Sequence, residues 1–454
     1  MARRLVIVGG DAAGMSAAAQ ARRMTSAGEL EIVAFERGSR TSYAACGLPY
    51  LVEGLVDTPE LLIARTPEQH RANGIDVRIH HEVTAIDTMA STVTVRDLET
   101  GSESIEHYDE LLIGTGASGI TPPWPGIDAE GVLQLRTLDD AAAVEQRLDA
   151  GARRAVVVGA GYIGLEVAEG LLGRGLDVTV VERLDAPMGA VLDADMAAHV
   201  AEAMQTAGID LRLGTAVSGF SARDGRVTAV ETAAGPIAAD LVVIGLGVRP
   251  NVAPARAASI GVGEAGGIVV DDHLRTGTPH VWAAGDCVES YHRITGRSVV
   301  VALGTHASKQ GRAAGTNIAG GDAIFAGVLG TAITKFRNLE IGRTGLTERE
   351  AGAAGFDAVG VTTEASSRAH YYPGAQPMRI KIVAERRTGR LLGAQILGGD
   401  GAGKRIDVLA TALWNNMTVD EVGGMDLSYA PPFSPVWDPV LLAAGKAASK
   451  IRPR

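Results

Sequence analysis

Two stretches of this sequence, about 150 residues apart, repeat one pattern: a short apolar run, a glycine-rich turn, a small-residue helix, a second apolar run and an acid. In the first, Leu5-Val6-Ile7-Val8 runs into Gly9-Gly10-Asp11-Ala12-Ala13-Gly14. A helix is expected over Met15–Met24, and the strand Ile32–Phe35 ends at Glu36-Arg37. In the second, Ala155–Val158 leads into Gly159-Ala160-Gly161-Tyr162-Ile163-Gly164, with a helix to about Arg174 and Gly175 as its stop. The strand Val178–Val181 then ends at Glu182. Unbroken apolar runs this short suit strands of a parallel sheet that is buried on both faces. Glycines let the backbone turn tightly and approach a pyrophosphate, the helix start offers free N–H groups, and an acid about 20 residues on accepts from ribose hydroxyls. Glu36 follows Gly14 by 22 residues and Glu182 follows Gly164 by 18. The chain therefore reads as α/β, with two Rossmann-type dinucleotide units. Glycine turns without a ligand are the bland alternative, and a second copy in full context weighs against it. The first copy departs from the pattern, with Asp11 at the middle glycine. Glu182 pairs with a free 2′-hydroxyl and repels a 2′-phosphate, which favours NADH; Arg183 beside it leaves NADPH open.

The length of 454 residues suits about three domains. Hydrophobic residues make up 46% of the chain, enough for packed cores. The only two cysteines are Cys46 and Cys287, which excludes a disulfide-stapled scaffold or a Cys-rich metal array. The ten histidines show no metal-ligand spacing, so no metal is expected. A net charge of -11 argues against a nucleic-acid surface or a polybasic membrane patch. No apolar run approaches the roughly 18 residues of a membrane span. The amino terminus looks superficially like a signal peptide, but Gly9, Gly10 and Asp11 interrupt its apolar run after four residues. A cytoplasmic protein is expected.

Leu111-Leu112-Ile113-Gly114-Thr115-Gly116 is another buried strand entering a turn, and the proline-rich stretch 121–126 reads as a crossover between domains. Val242–Pro250, which contains Gly247, reads as the return crossover. Val281–Ala284 ends in Gly285-Asp286, where a carboxylate suits either a hydroxyl-rich ligand or a structural helix cap. A helix is expected over Leu303–Ala319. From about residue 326 the composition changes: strands at Arg379–Val383 and Leu391–Leu397, then a helix from about Ile406 to Asn415, give an α+β terminal domain.

Cys46 lies in Ser42-Tyr43-Ala44-Ala45-Cys46-Gly47-Leu48-Pro49-Tyr50, where a short helix start would favour its thiolate. On that segment alone a buried, inert cysteine is the better reading. The two dinucleotide units, this segment, Gly285-Asp286 and Tyr429-Ala430-Pro431-Pro432-Phe433-Ser434-Pro435 together resemble the single-cysteine flavoprotein disulfide reductases over nearly the whole chain. That group includes coenzyme A-disulfide reductase, NADH oxidase and NADH peroxidase. The resemblance implies a glutathione-reductase-like fold working as a homodimer. Residues 1–118 and 249–325 would bind FAD, 119–248 would bind NAD(P)H and 326–454 would form the dimerisation domain, with no rhodanese extension after Arg454. It places Gly9, Gly10, Ala13, Gly14, Glu36, Arg37, Thr115, Gly116, Gly247, Gly285 and Asp286 among the cofactor residues. Gly159, Gly161, Tyr162, Ile163, Gly164, Glu166 and Glu182 join them, with Tyr162 and Glu166 near the nicotinamide.

Within the group the chain looks most like coenzyme A-disulfide reductase, because the first glycine turn lacks the histidine of the oxidase and peroxidase branch. The two tyrosine motifs of the coenzyme A branch are present around Tyr371 and Tyr429. Gln20, Arg23 and Ser42 match its substrate contacts, whereas Ala45 stands where an asparagine is expected. The implied activity is reduction of a small disulfide, coenzyme A disulfide foremost, through a mixed disulfide on Cys46. Tyr371 and Tyr429 of the partner subunit would supply the proton. The alternatives are an NADH oxidase or peroxidase cycling through a Cys46 sulfenic acid, a persulfide or polysulfide reductase, and a non-catalytic redox sensor. Cys287 reads as a small buried filler.

Overall fold

The computed structural model describes residues 2–452; Met1, Pro453 and Arg454, at the ends of the expected first and last domains, lie outside the described residues. The apolar runs form strands as expected. Arg3–Val8 is the central strand of an all-parallel sheet ordered 281–283, 110–113, 3–8, 30–35 and 76–78. Leu5, Val6 and Ile7 are fully buried, because packed layers cover both faces of this sheet. The second sheet repeats this plan with strands 132–133, 241–244, 154–158, 177–181 and 210–212, again all parallel.

The duplication extends well beyond the motif. Each sheet carries a three-stranded antiparallel flap between its third strand and its return strand: 81–87, 92–97 and 103–107 in the first, and 217–223, 226–232 and 237–238 in the second. Each return strand, Glu110–Ile113 and Leu241–Ile244, ends in a Gly-x-Gly turn against its motif. The helices Ala12–Met24 and Tyr162–Gly173 follow the two glycine turns. Between the sheets, Ala117–Gly119 pairs antiparallel with Val248–Pro250, so both crossovers run side by side.

Glycine is required where helix meets strand. A Cβ on Gly14 would stand 2.0 Å from the Gly9 carbonyl oxygen, and one on Gly164 would stand 1.9 Å from that of Gly159. Gly9 and Gly159 adopt φ of 107° and 102°, in the left-handed half of the map.

The C-terminal body is a five-stranded antiparallel sheet ordered 332–336, 339–345, 391–398, 377–385 and 358–366. Ile380, Ile382, Ala394 and Ile396 pack with the helices Ile406–Trp414 and Pro439–Ile451 through Leu409, Leu413, Val440 and Ala444. No helix among the described residues is long and apolar enough to cross a membrane.

Candidate functional site

Both glycine turns are closed by their own acid. Glu36 accepts from the N–H groups of Gly10 and Gly38, each at 2.7 Å; Glu182 accepts from Ala160 at 2.7 Å and from Leu184 at 2.8 Å. A carboxylate offers about four acceptor positions, so each acid keeps capacity for ligand hydroxyls. Neighbouring Arg37 and Arg183 are exposed. The N-caps Asp11 and Gly161 make no side-chain cap bond, which leaves first-turn N–H groups of both helices free for an anion. Nothing lies within 4 Å of where a Cβ would sit on Gly116, Gly161 or Gly247, so the cradles are open on the side a dinucleotide would enter. The residues present fit two dinucleotides.

Asp11, which replaces the middle glycine, is pushed up to about 6 by burial, helped by Glu36 and Asp286. Burial also raises Asp286, against the pull of Arg136. Gly285 at φ 92° brings this strand end against Ala13, and Gln310 accepts from its N–H at 2.8 Å. Thr115 and Asn251 tie the two crossovers: the threonine hydroxyl donates to the Asn251 carbonyl at 2.6 Å, and the amide of Asn251 returns a bond at 2.9 Å.

The cysteine segment is clamped onto the first glycine turn. The Thr41 hydroxyl and the Ser42 N–H both donate to the Gly10 carbonyl, and Ser42 Oγ lies 3.0 Å from Nε2 of buried His70. Cys46 is exposed at the centre of the 3-10 turn Ala45–Gly47, and the helix Leu48–Glu53 begins two residues later. The cysteine does stand at a helix start, as expected, but its surroundings do not favour the thiolate. Loss of water around the sulfur, then the carboxylate of Glu166, pushes the thiol above its ordinary value, while Arg136 pulls it down.

Glu166 is held by the Thr334 hydroxyl at 2.7 Å, and buried Glu169 pairs with Lys335 at 2.7 Å. The Lys335 ammonium sits 5.8 Å from the ring centre of Tyr50, four residues beyond the cysteine. Gly170 and Gly173 let the cysteine helix lie against helix Tyr162–Gly173, since Cβ atoms there would meet Pro49 and Glu53 at about 3 Å. Tyr162 starts this helix, and burial lifts its phenol to about 12; Ile163 packs beside it in the same core. Glu166→Gln removes a charge that opposes the thiolate, so the alkylation rate of Cys46 by iodoacetamide should rise at a lower pH than in the parent. An unshifted pH profile would show that the Glu166 charge does not reach the sulfur.

Arg23 is exposed and donates to Gln20 Oε1 at 2.7 Å, so these two substrate candidates stand together, whereas Arg22 is spent on the carbonyls of Gly74 and Leu30. Tyr371 and Tyr429 also meet. Tyr371 raises the Tyr429 phenol, and His370 stacks edge-on with Tyr371 at 5.5 Å. Both phenols are exposed, as are Phe433, Val436 and Trp437 a few residues beyond Tyr429. The groups that act most on Cys46 within the subunit are Glu166, Arg136 and Asp286, not these tyrosines. Cys287 is fully buried, with the Ala284 carbonyl oxygen 3.4 Å from its sulfur. Asp271, Asp272 and His273 cluster, but both ring nitrogens of His273 already engage carboxylates, Asp272 at 2.6 Å and Asp322 at 2.9 Å.

Gly114 and Gly245 were legible only once the return strands were placed; each receives its motif's closing glycine, with a Cβ there coming within 3.4 Å of the Gly14 or Gly164 backbone. Arg136 carries no sequence signal, because it is 90 residues from Cys46.

Residues 3–321 match the family model described as pyridine nucleotide-disulphide oxidoreductase, and residues 331–439 match its dimerisation domain. An NAD(P)H coenzyme A polysulfide/persulfide reductase from Pyrococcus horikoshii is 39% identical over 98% of both chains. A coenzyme A disulfide reductase from Staphylococcus aureus is 33% identical, covering 98% of this chain and 99% of that one. The structure of an NAD-dependent persulfide reductase from A. fulgidus superposes with a TM-score of 0.95 at 39% identity, over 98% of this chain and 83% of that one. With two glycine cradles, one exposed thiol and whole-length relatives of this kind, the chain belongs to the pyridine nucleotide-disulphide oxidoreductase family.

Proposed function

We propose that this flavoprotein oxidoreductase uses NAD(P)H to break the sulfur–sulfur bond of a small thiol conjugate, coenzyme A disulfide foremost, with Cys46 as the only thiol involved. One observation carries this reading: Cys46 is exposed and within reach of the charges of Glu166 from the second unit and Asp286 from the first, while Cys287, the only other cysteine, is fully buried. Residues 1–118 and 249–325 hold FAD through the first glycine turn, Glu36 and Asp286. Residues 119–248 hold the pyridine nucleotide, and 326–454 pair two subunits. Glu182, fixed by two N–H bonds, favours NADH over its exposed neighbour Arg183.

FAD, held by the first unit, would supply the two-electron relay between NAD(P)H and the sulfur centre. The protein's own residues do the rest. The Cys46 thiolate attacks the disulfide, forming a mixed disulfide and expelling one thiolate. Two electrons then cleave that bond, freeing the second substrate thiolate and restoring Cys46. Two protons complete the balance: NADH, one proton and a disulfide give NAD⁺ and two thiols. Tyr371 and Tyr429, brought across a cytoplasmic homodimer, hand protons to the departing thiolates; the mutual contact that raises Tyr429 keeps it a donor. The dimerisation-domain match and the exposed Phe433, Val436 and Trp437 support the pairing. Gln20, Arg23 and Ser42 hold the substrate.

A second reading has the same thiolate attack the sulfane sulfur of a coenzyme A persulfide, and the reductases at 39% identity favour it. The intact mass of unreduced protein tests the one-thiol scheme. An adduct of the mass of coenzyme A on Cys46 is expected, and a single added oxygen with rapid oxygen consumption would replace the scheme by an oxidase. Comparing kcat/KM for coenzyme A disulfide and persulfide ranks the two substrates.

A further inference from the structure

The C-terminal sheet docks on the second glycine unit through one buried lysine. Lys381, on strand Pro377–Glu385, is 4% exposed. Its ammonium lies 2.7 Å from Asp195 Oδ1, 2.6 Å from Glu348 Oε2 and 3.4 Å from Asp193 Oδ2. Asp193, buried itself, exchanges two bonds with Gln395: its carboxylate accepts from Nε2 at 2.7 Å and its N–H donates to Oε1 at 2.9 Å. The Glu348 N–H donates to Asp193 at 3.1 Å, and the Thr362 hydroxyl donates to Asp195 at 2.7 Å. Asp193 and Asp195 come from the second unit; Lys381, Gln395, Glu348 and Thr362 come from the C-terminal body. The ammonium is buried while Asp195 and Glu348 stay half-exposed, so losing these partners would leave an uncompensated buried charge, and the lysine ties the sheet to the second unit.

The hub connects backward to the nucleotide cradle. Asp193 caps helix Ala194–Thr206, yet its side chain serves the C-terminal sheet instead of the helix. One residue before it, the Leu192 N–H donates to the Met188 carbonyl at 2.9 Å, and the Met188 N–H donates to the Ala160 carbonyl of the glycine turn at 2.8 Å. Met188 is buried and has φ of 56°, a conformation that a residue with a side chain keeps only when its surroundings enforce it. The loop from Glu182 to Asp193 therefore starts at the cradle's acid, touches the cradle's backbone midway and ends in the hub.

We propose that Lys381 is a positioning residue for the pyridine nucleotide: from the C-terminal domain it holds loop 182–193, and so the second cradle, in the shape that binds the cofactor. This rests on the assignment of NAD(P)H to the second glycine unit. The first unit contributes nothing to the hub, so the effect is confined to one substrate.

The test uses the FAD-loaded enzyme and steady-state kinetics with both substrates. Lys381→Met should raise KM for NADH about tenfold, the scale of coupling through a packed network, while KM for the disulfide and the FAD content stay at the parent level. Lys381→Arg, which keeps the charge, should recover part of that loss. Gln395→Met, on the strand directly opposite, removes both bonds to Asp193 while leaving the lysine and its three carboxylates in the chain, and should raise the same KM, which covers the case of a misfolded lysine variant. Glu182→Ala separates the positioning role from the cradle assignment. A raised NADH KM there, with Lys381→Met and Gln395→Met both unchanged, overturns the positioning role alone. An unchanged NADH KM in Glu182→Ala overturns the cradle assignment and this proposal with it. Equal rises in both KM values would reduce Lys381 to a general stabiliser and also overturn it.

Discussion

Cys46→Ser should lower NADH-dependent reduction of coenzyme A disulfide by about three orders of magnitude or more, the scale of removing a nucleophile from a concerted site. A serine hydroxyl does not ionise in the accessible pH range and cannot form the mixed disulfide. The remaining cysteine cannot substitute, because Cys287 is fully buried against the Ile113 and Ala284 carbonyls. The first half of the reaction should survive: stopped-flow mixing with NADH should still bleach the flavin, since neither cradle contains Cys46. Retained steady-state turnover in the serine variant would sink the one-thiol scheme. A variant that loses flavin reduction as well would mean that Cys46 is structural.

The second large effect separates the two cradles. Gly14→Ala and Gly164→Ala place a methyl about 2 Å from the carbonyl oxygen of the partner glycine in the same turn. That oxygen belongs to the backbone, so the helix must back away from its turn, a displacement that typically costs about 1–3 kcal/mol or more in packing alone. It also carries the free N–H groups away from the pyrophosphate. Gly164→Ala should keep its yellow colour and lose about a hundredfold or more in kcat/KM for NADH, the price of about 1 Å of misplacement. Gly14→Ala should emerge depleted of FAD. Absorbance at purification and NADH kinetics read both, and a crossed pattern would reverse the assignment of the two units.

The motif turns were legible because a glycine there answers a contact only a few residues away: Gly14 meets Gly9, and Gly164 meets Gly159. The apolar runs were legible because both faces of a parallel strand are buried, so their burial is written locally. What escaped was everything that depends on distant pairing. Residues 81–107 and 217–238 alternate too weakly to announce two flaps, and the likeness shows only once both sheets are aligned. On its own segment Cys46 read as a buried, inert cysteine; its exposure comes from the fold, and its charge environment is set by Glu166 and Arg136, 120 and 90 residues away. Nothing in the strand around Lys381 marks its role; its three carboxylates come from two other parts of the chain.

The order of strands also sets an order of assembly. The second sheet is complete once Leu241–Ile244 has been made, because its outermost strand, Val132–Leu133, precedes the unit. The first sheet must wait for Val281–Ala283, whose neighbour Glu110–Ile113 was synthesised some 170 residues earlier. On the ribosome, then, the inner unit can close while the outer one stays open along one edge, with an unpaired strand that invites mispairing. The last strand to arrive carries Gly285 and Asp286 directly behind it. On the proposed assignment of FAD to the outer unit, closing its sheet and finishing the flavin site are one event, so a nascent chain stalled before residue 281 should hold a complete inner unit and no retained flavin.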